Sequence, residues 1–110
     1  MAAVNPFPAS SIGITVAATS TALTAVALPV VTGCNQLRVV NEGPSPCFFA
    51  TGASTVAAPL PTTGAGVNTC NAILPGEDAV FSIGSADLYI STICRTAGTA
   101  TLSVYVGNGL

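Results

Sequence analysis

Turn residues cut the second half of the chain into short apolar runs at near-regular intervals, and this constrains the fold more than any other feature. CNAIL leads into Pro75-Gly76, AVFSIG stops at Gly84, LYISTIC follows Ser85-Ala86-Asp87, and ATLSVYVG follows the turn at RTAGT. In the last run Leu102, Val104 and Val106 recur with the period of a pleated strand and share one face. In LYISTIC, Leu88, Ile90 and Thr92 oppose Tyr89, Ser91 and Ile93. Short runs of this kind bounded by Gly and Pro are strands of an antiparallel sheet.

The first half obeys the same rule. IGITVAATSTALTAVALP divides into strands over about 12–17 and 22–28 around a Thr/Ser turn, the first marked by the alternation of Ile12, Ile14 and Val16. The stretch LRVVNEGPSPCFFATG, Leu37 to Gly52, reads as a strand–turn–strand hairpin. Leu37 and Val39 take one face, Arg38 and Val40 the other, NEGPSP supplies the turn, and Gly52 ends an aromatic second strand. Seven or eight such strands predict an all-β, single-domain antiparallel β-sandwich or jelly roll.

Two segments stand outside this pattern. Residues 1–10, MAAVNPFPAS, form an extended N-terminal arm, because Pro6 and Pro8 bar regular helix and central strand and push their predecessors towards extended geometry. The sandwich domain then occupies residues 11–110. Within it, residues 53–69 make a connection of unusual length, with Pro59 and Pro61 flanking Leu60 and Gly64 and Gly66 beyond. Loops this long in a compact domain commonly serve contacts. Val4, Phe7 and Pro8 of the arm and Pro59, Leu60 and Pro61 of the loop are therefore the candidate interface residues.

Charge narrows the function. Charged residues are 5% of the chain, against about 25% in an ordinary soluble domain. Six ionic side chains cannot cover the surface of such a domain. What remains is Thr, Ser, Asn and Gly, or apolar surface that a neighbour buries, and large apolar patches mark contact sites. An assembly subunit is expected. Lys is absent, and Arg38 and Arg95 lie far apart in sequence. Nucleic-acid binding, which draws its strength from cations on phosphates, is not expected.

No charge precedes Arg38, yet the segment from Ile12 to Val31 does not read as a membrane span. It is dense in Thr and Ser, alternates in its strongest apolar residues, and meets Pro29 near its end. Ala25-Val26-Ala27 fits a small-x-small cleavage pattern, but no basic region precedes it.

Chemistry is sparse. Without His or Lys, no Ser or Thr has an imidazole or amine side chain to activate it. Cys47 could act as a nucleophile only with a lowered pKa, and Arg38 is the nearest cation in sequence. Glu77 and Asp78 are adjacent and on a strand would face opposite ways, which suits a solvated turn better than acid–base work. Cys34, Cys47, Cys70 and Cys94 show no C-x-x-C spacing for zinc, and the three ways of pairing them stay open. Gly64-Ala65-Gly66 lacks the third glycine of a dinucleotide loop. No catalytic residue, cofactor or metal ligand is assigned.

At LRVVNEGPSPCFFATG the chain resembles a group of small bacteriophage virion proteins of the capsid cement or decoration type. There a Thr/Ser-rich pair of strands precedes an (L/V)RVxNxG strand, a turn, and an aromatic strand ending in Gly. Here the second half runs likewise through Pro75-Gly76 to AVFSIG and closes with GTATLSVYVGNGL. The likeness spans most of residues 10–110, and the four cysteines are not part of it. It implies a protein of the virion, on the capsid exterior, that clamps the major capsid protein as a homo-oligomer, a trimer or a dimer. Some similar proteins occupy the head–tail junction, tail or fibres instead. A secreted adhesin or sugar-binding module is the alternative of another class, and it predicts oxidised cysteines and an export signal.

Overall fold

The computed structural model describes residues 12–21, 24–29, 36–61 and 70–107. Strands form where alternation predicts them: β1 (Ile12–Ala18), β2 (Val26–Ala27), β3 (Gln36–Pro44), β4 (Cys47–Gly52), β5 (Asn71–Ile73), β6 (Asp78–Ser82), β7 (Tyr89–Cys94) and β8 (Ala100–Gly107). The expectation of an all-β sandwich holds. β2 is shorter than the expected strand, although Leu28 N–H still reaches Leu88 C=O at 2.9 Å.

The strands build two four-stranded sheets, ordered β1-β8-β3-β6 and β2-β7-β4-β5. All pairings are antiparallel. Four of them, β1 with β8, β2 with β7, β3 with β6 and β4 with β5, are nested one inside the next. The chain is thus one long ribbon with the β4–β5 link at its tip. The ribbon curls until β8 meets β3 and β7 meets β4. This topology is a jelly roll, which settles the choice that alternation left open.

The core lies between the sheets. Leu37 and Val39 of β3 and Leu102 and Val104 of β8 are fully buried against Cys47, Ile73, Ile90 and Cys94 of the other sheet. The rings of Phe49 and Phe81 meet edge to face across the gap, with centroids 5.0 Å apart. Beside them a cleft of about 290 Å³ separates β4 and β5 from β6.

One expectation is corrected. Residues 37–52 do form strand, turn and strand, but β3 and β4 lie in different sheets, so the segment is an arch and not a hairpin. The cause is Asn41, whose side chain is wholly buried. Its amide donates to Ser45 C=O at 3.0 Å and Ile73 C=O at 2.9 Å, while its carbonyl oxygen accepts Gly43 N–H at 2.7 Å. Its backbone is held by the β5–β6 turn, through Asn41 N–H to Glu77 C=O and Gly76 N–H to Asn41 C=O. Gly43, at φ 84°, adopts the left-handed conformation that disfavours other residues, and the pairing register with β8 breaks between Asn41 and Pro44. The Gly43–Pro44 peptide is cis. The chain then steps to the opposite sheet, where Cys47, Phe48 and Phe49 are all buried.

Strand β7 departs from simple alternation as well. Ile90, Ser91 and Thr92 are all fully buried, because this strand is covered on both faces. The second cover is the segment after β4, described next.

Candidate functional site

The two sheets present different outer faces. On the β2-β7-β4-β5 sheet, the start of the 53–69 connection folds back over the strands. Ala58 is buried, and its N–H donates to Ser91 Oγ at 2.9 Å. Ser91 points away from the core residues Ile90 and Cys94, so this bond fixes the segment on the outer side of β7. Phe48, also facing outward, lies under the Arg95 guanidinium, 5.0 Å from its ring centroid. The middle of this face, around Phe48 and Ser91, is covered by its own chain, while Ala27 and Ala72 at its edges are exposed.

The face of the β1-β8-β3-β6 sheet is open. Register sets two rows across it: Gly13, Tyr105, Arg38 and Val80, then Thr15, Ser103, Val40 and Asp78. Thr15, Ala17, Asp78, Val80 and Thr101 are exposed. The Tyr105 ring packs over Gly13, where a Cβ would stand 2.4 Å from Tyr105 Cε2, so any larger residue would displace the ring. The Arg38 guanidinium stacks over the same ring, 5.6 Å from its centroid. Arg38 also grips Asp78 through two donors, Nε to Oδ1 at 3.0 Å and Nη2 to Oδ2 at 2.6 Å. Those hydrogen bonds raise the Arg38 pKa and lower that of Asp78. Glu42 accepts a hydrogen bond from Ser103 Oγ.

Half of the ionic side chains, Arg38, Asp78 and Glu42, are therefore on this face, two of them neutralising each other. Hydroxyls, Gln36, two glycines, an alanine and two valines fill the rest. The other acids are engaged in turns. Glu77 accepts Leu74 N–H at 2.8 Å and Asp87 accepts Gly84 N–H at 2.8 Å. Among the described residues no group of three or more His, Cys, Asp or Glu could hold a metal ion. Burial pushes the Cys47 thiol up to about 12, far from a reactive thiolate.

The Arg38–Asp78 pair gives a first prediction. A depressed carboxyl pKa stabilises the fold above the ordinary Asp value, and that stability is lost as pH falls through the lowered one. The pair is 31% and 45% exposed, so solvent screening limits it to about 0.5–1 kcal/mol. Urea titrations should show Asp78→Asn less stable than the parent by that amount at pH 6, the difference vanishing once pH has fallen through the lowered Asp78 value. A constant difference at every pH would show that the carboxylate's charge is not what matters.

Of the candidate interface residues, Val4, Phe7 and Pro8 lie outside the described residues. Pro59 and Leu60 are half-buried and Pro61 is exposed. All three directly follow Ala58, which is bonded to Ser91 on the outer side of β7. Alternation puts Arg38 and Val40 on the side opposite Leu37 and Val39, but only register brings Tyr105, Gly13 and Asp78 to them. No family model matches the chain, and neither the curated proteins nor the solved structures contain a match.

Proposed function

We propose that this protein is a structural subunit of a bacteriophage virion, a cement or decoration protein that binds the major capsid protein on the outside of the assembled head. One observation carries the reading: the middle of one sheet's outer face is covered by its own chain, while the other sheet leaves a broad, nearly neutral face open. Such a face suits burial against a protein neighbour, because its main ionic pair is already satisfied and brings little unpaired charge into the contact. Exposed Val80 adds apolar area there, and apolar contact is insensitive to salt. A ligand that binds only the assembled shell stabilises that shell. Shells are symmetric, so the bound form is a trimer or a dimer on a local axis.

Copy number in purified particles, measured by quantitative mass spectrometry against the major capsid protein, tests the assignment. Hundreds of copies in simple ratio are expected. A dozen or fewer would move the protein to the head–tail junction, tail or fibres, and none would favour an adhesin. The face is tested by Thr15→Arg with Thr101→Arg, which places two unpaired cations on it. Shell occupancy should fall by about tenfold or more while the thermal midpoint stays within a few degrees. Full occupancy would remove this face from the contact.

A further inference from the structure

Cys47 on β4 and Cys94 on β7 are partners in the antiparallel register, directly opposite each other, and both are fully buried. Both are free thiols in the structure. The kind of ladder position they occupy matters. Cys94 N–H donates to Thr19 C=O at 2.6 Å, outside the β4–β7 ladder, and Ile90, of the same parity, is the register partner of Val26 on β2. The Cys94 N–H is thus turned away from β4, as in a pair without mutual backbone hydrogen bonds. In such pairs the Cα atoms lie about 4.5 Å apart and the side chains approach closest. That spacing falls inside the window of about 4.4–6.8 Å that a disulfide spans. Both side chains point into the same core, towards the facing sheet.

We propose that Cys47 and Cys94 form a built disulfide site, closed by thiol–disulfide exchange with a small oxidised disulfide such as oxidised glutathione. One cysteine thiolate attacks a sulfur of the oxidant and expels one thiolate, leaving a mixed disulfide on the protein. The second cysteine thiolate attacks the protein-bound sulfur of that mixed disulfide and expels the other thiolate. Two protein thiols are oxidised, one external disulfide is reduced to two thiols, and the two protons released pass to those thiolates. Burial raises the pKa of both groups, so closure belongs to folding or to transient opening and not to the closed core. The same burial shields the finished bond from reductants. Cytosolic thiols stay reduced, so the site closes where folding or opening occurs outside that compartment. The pairing also reduces the three possibilities to one. It holds whatever partner the open face takes.

The test uses the full chain, unfolded with reductant and refolded in a glutathione redox buffer, then quenched in acid and digested without reduction. A peptide joining Cys47 to Cys94 is expected, in a protein lighter by two hydrogens per bond formed. The thermal midpoint should exceed that of the reduced form by about 10 °C, the effect of closing a loop of this length. Linkage of either residue to Cys34 or Cys70 would overturn the proposal. The variant Cys34→Ser with Cys70→Ser isolates the pair. Loss of both thiols from the folded monomer is expected there, and recovery of two alkylatable thiols would overturn the site.

Discussion

Replacing Asn41 by alanine should destabilise the fold by about 3–5 kcal/mol, seen as a large drop in the urea midpoint with little change in slope. The loss is set by what Asn41 satisfies. Truncation removes both donors from Ser45 C=O and Ile73 C=O and the acceptor from Gly43 N–H. The Ile73 carbonyl is left buried without a partner, at about 1–3 kcal/mol. The half-buried Ser45 carbonyl and Gly43 N–H add smaller losses to the void left by the side chain. A domain with only about 5–15 kcal/mol in total has little margin for this. Asn41→Asp separates hydrogen bonding from volume. It keeps the acceptor for Gly43, but as a carboxylate it faces two carbonyl oxygens with no proton to donate. It should be at least as damaging at neutral pH and should recover part of the loss in acid, where the protonated group donates once. Equal stability of Asn41→Ala and the parent would refute the role given to this corner.

The second large effect is at Phe49. Truncation to alanine should cost about 3–5 kcal/mol, while Phe49→Leu should cost less than half as much. The ring is 3% exposed and meets Phe81 at an interplanar angle of 80°, making it a direct bridge from β4 to the facing sheet. It also walls the cleft of about 290 Å³. Removing it enlarges a void that the neighbouring strands cannot close without shifting β5 or β6. Thermal or urea unfolding of the two variants decides the matter. If alanine and leucine proved equally mild, the sheets would be held together elsewhere.

Much of the fold could be read from residue spacing. Leu102, Val104 and Val106 announce the inner face of β8, and all three are buried as alternation requires. The same reading failed at residues 37–52 for a definite reason. Turn residues say that the chain reverses, but they do not say whether the next strand stays in the same sheet. That choice was made by Asn41, a polar residue drawn into the core by three hydrogen bonds whose partners lie up to 32 positions away. No local pattern marks such a residue. The burial of Ser91 was hidden likewise, since it depends on Ala58 arriving from another segment. The open face was half legible: Arg38 and Val40 were placed opposite the core, while the fit of Tyr105 over Gly13 exists only through the β1–β8 register. Sequence also left three cysteine pairings open, and strand pairing set Cys47 opposite Cys94.

The nested ladders carry a consequence for how the chain finds this structure. The strands of β1 and β8 are separated by nearly the whole sequence, and contacts of that kind slow folding because a long loop must close first. Nesting shortens that search. Once β4 and β5 are joined, β3 and β6 are held near one another by the two short corners at Ser45-Pro46 and at Leu74–Glu77. Their meeting in turn brings β2 and β7 within reach, and these bring β1 and β8. Each ladder therefore inherits most of its chain closure from the one inside it. Nesting thus favours assembly from the ribbon's tip towards the termini, and hydrogen exchange should be fastest at the outermost ladder, β1 with β8.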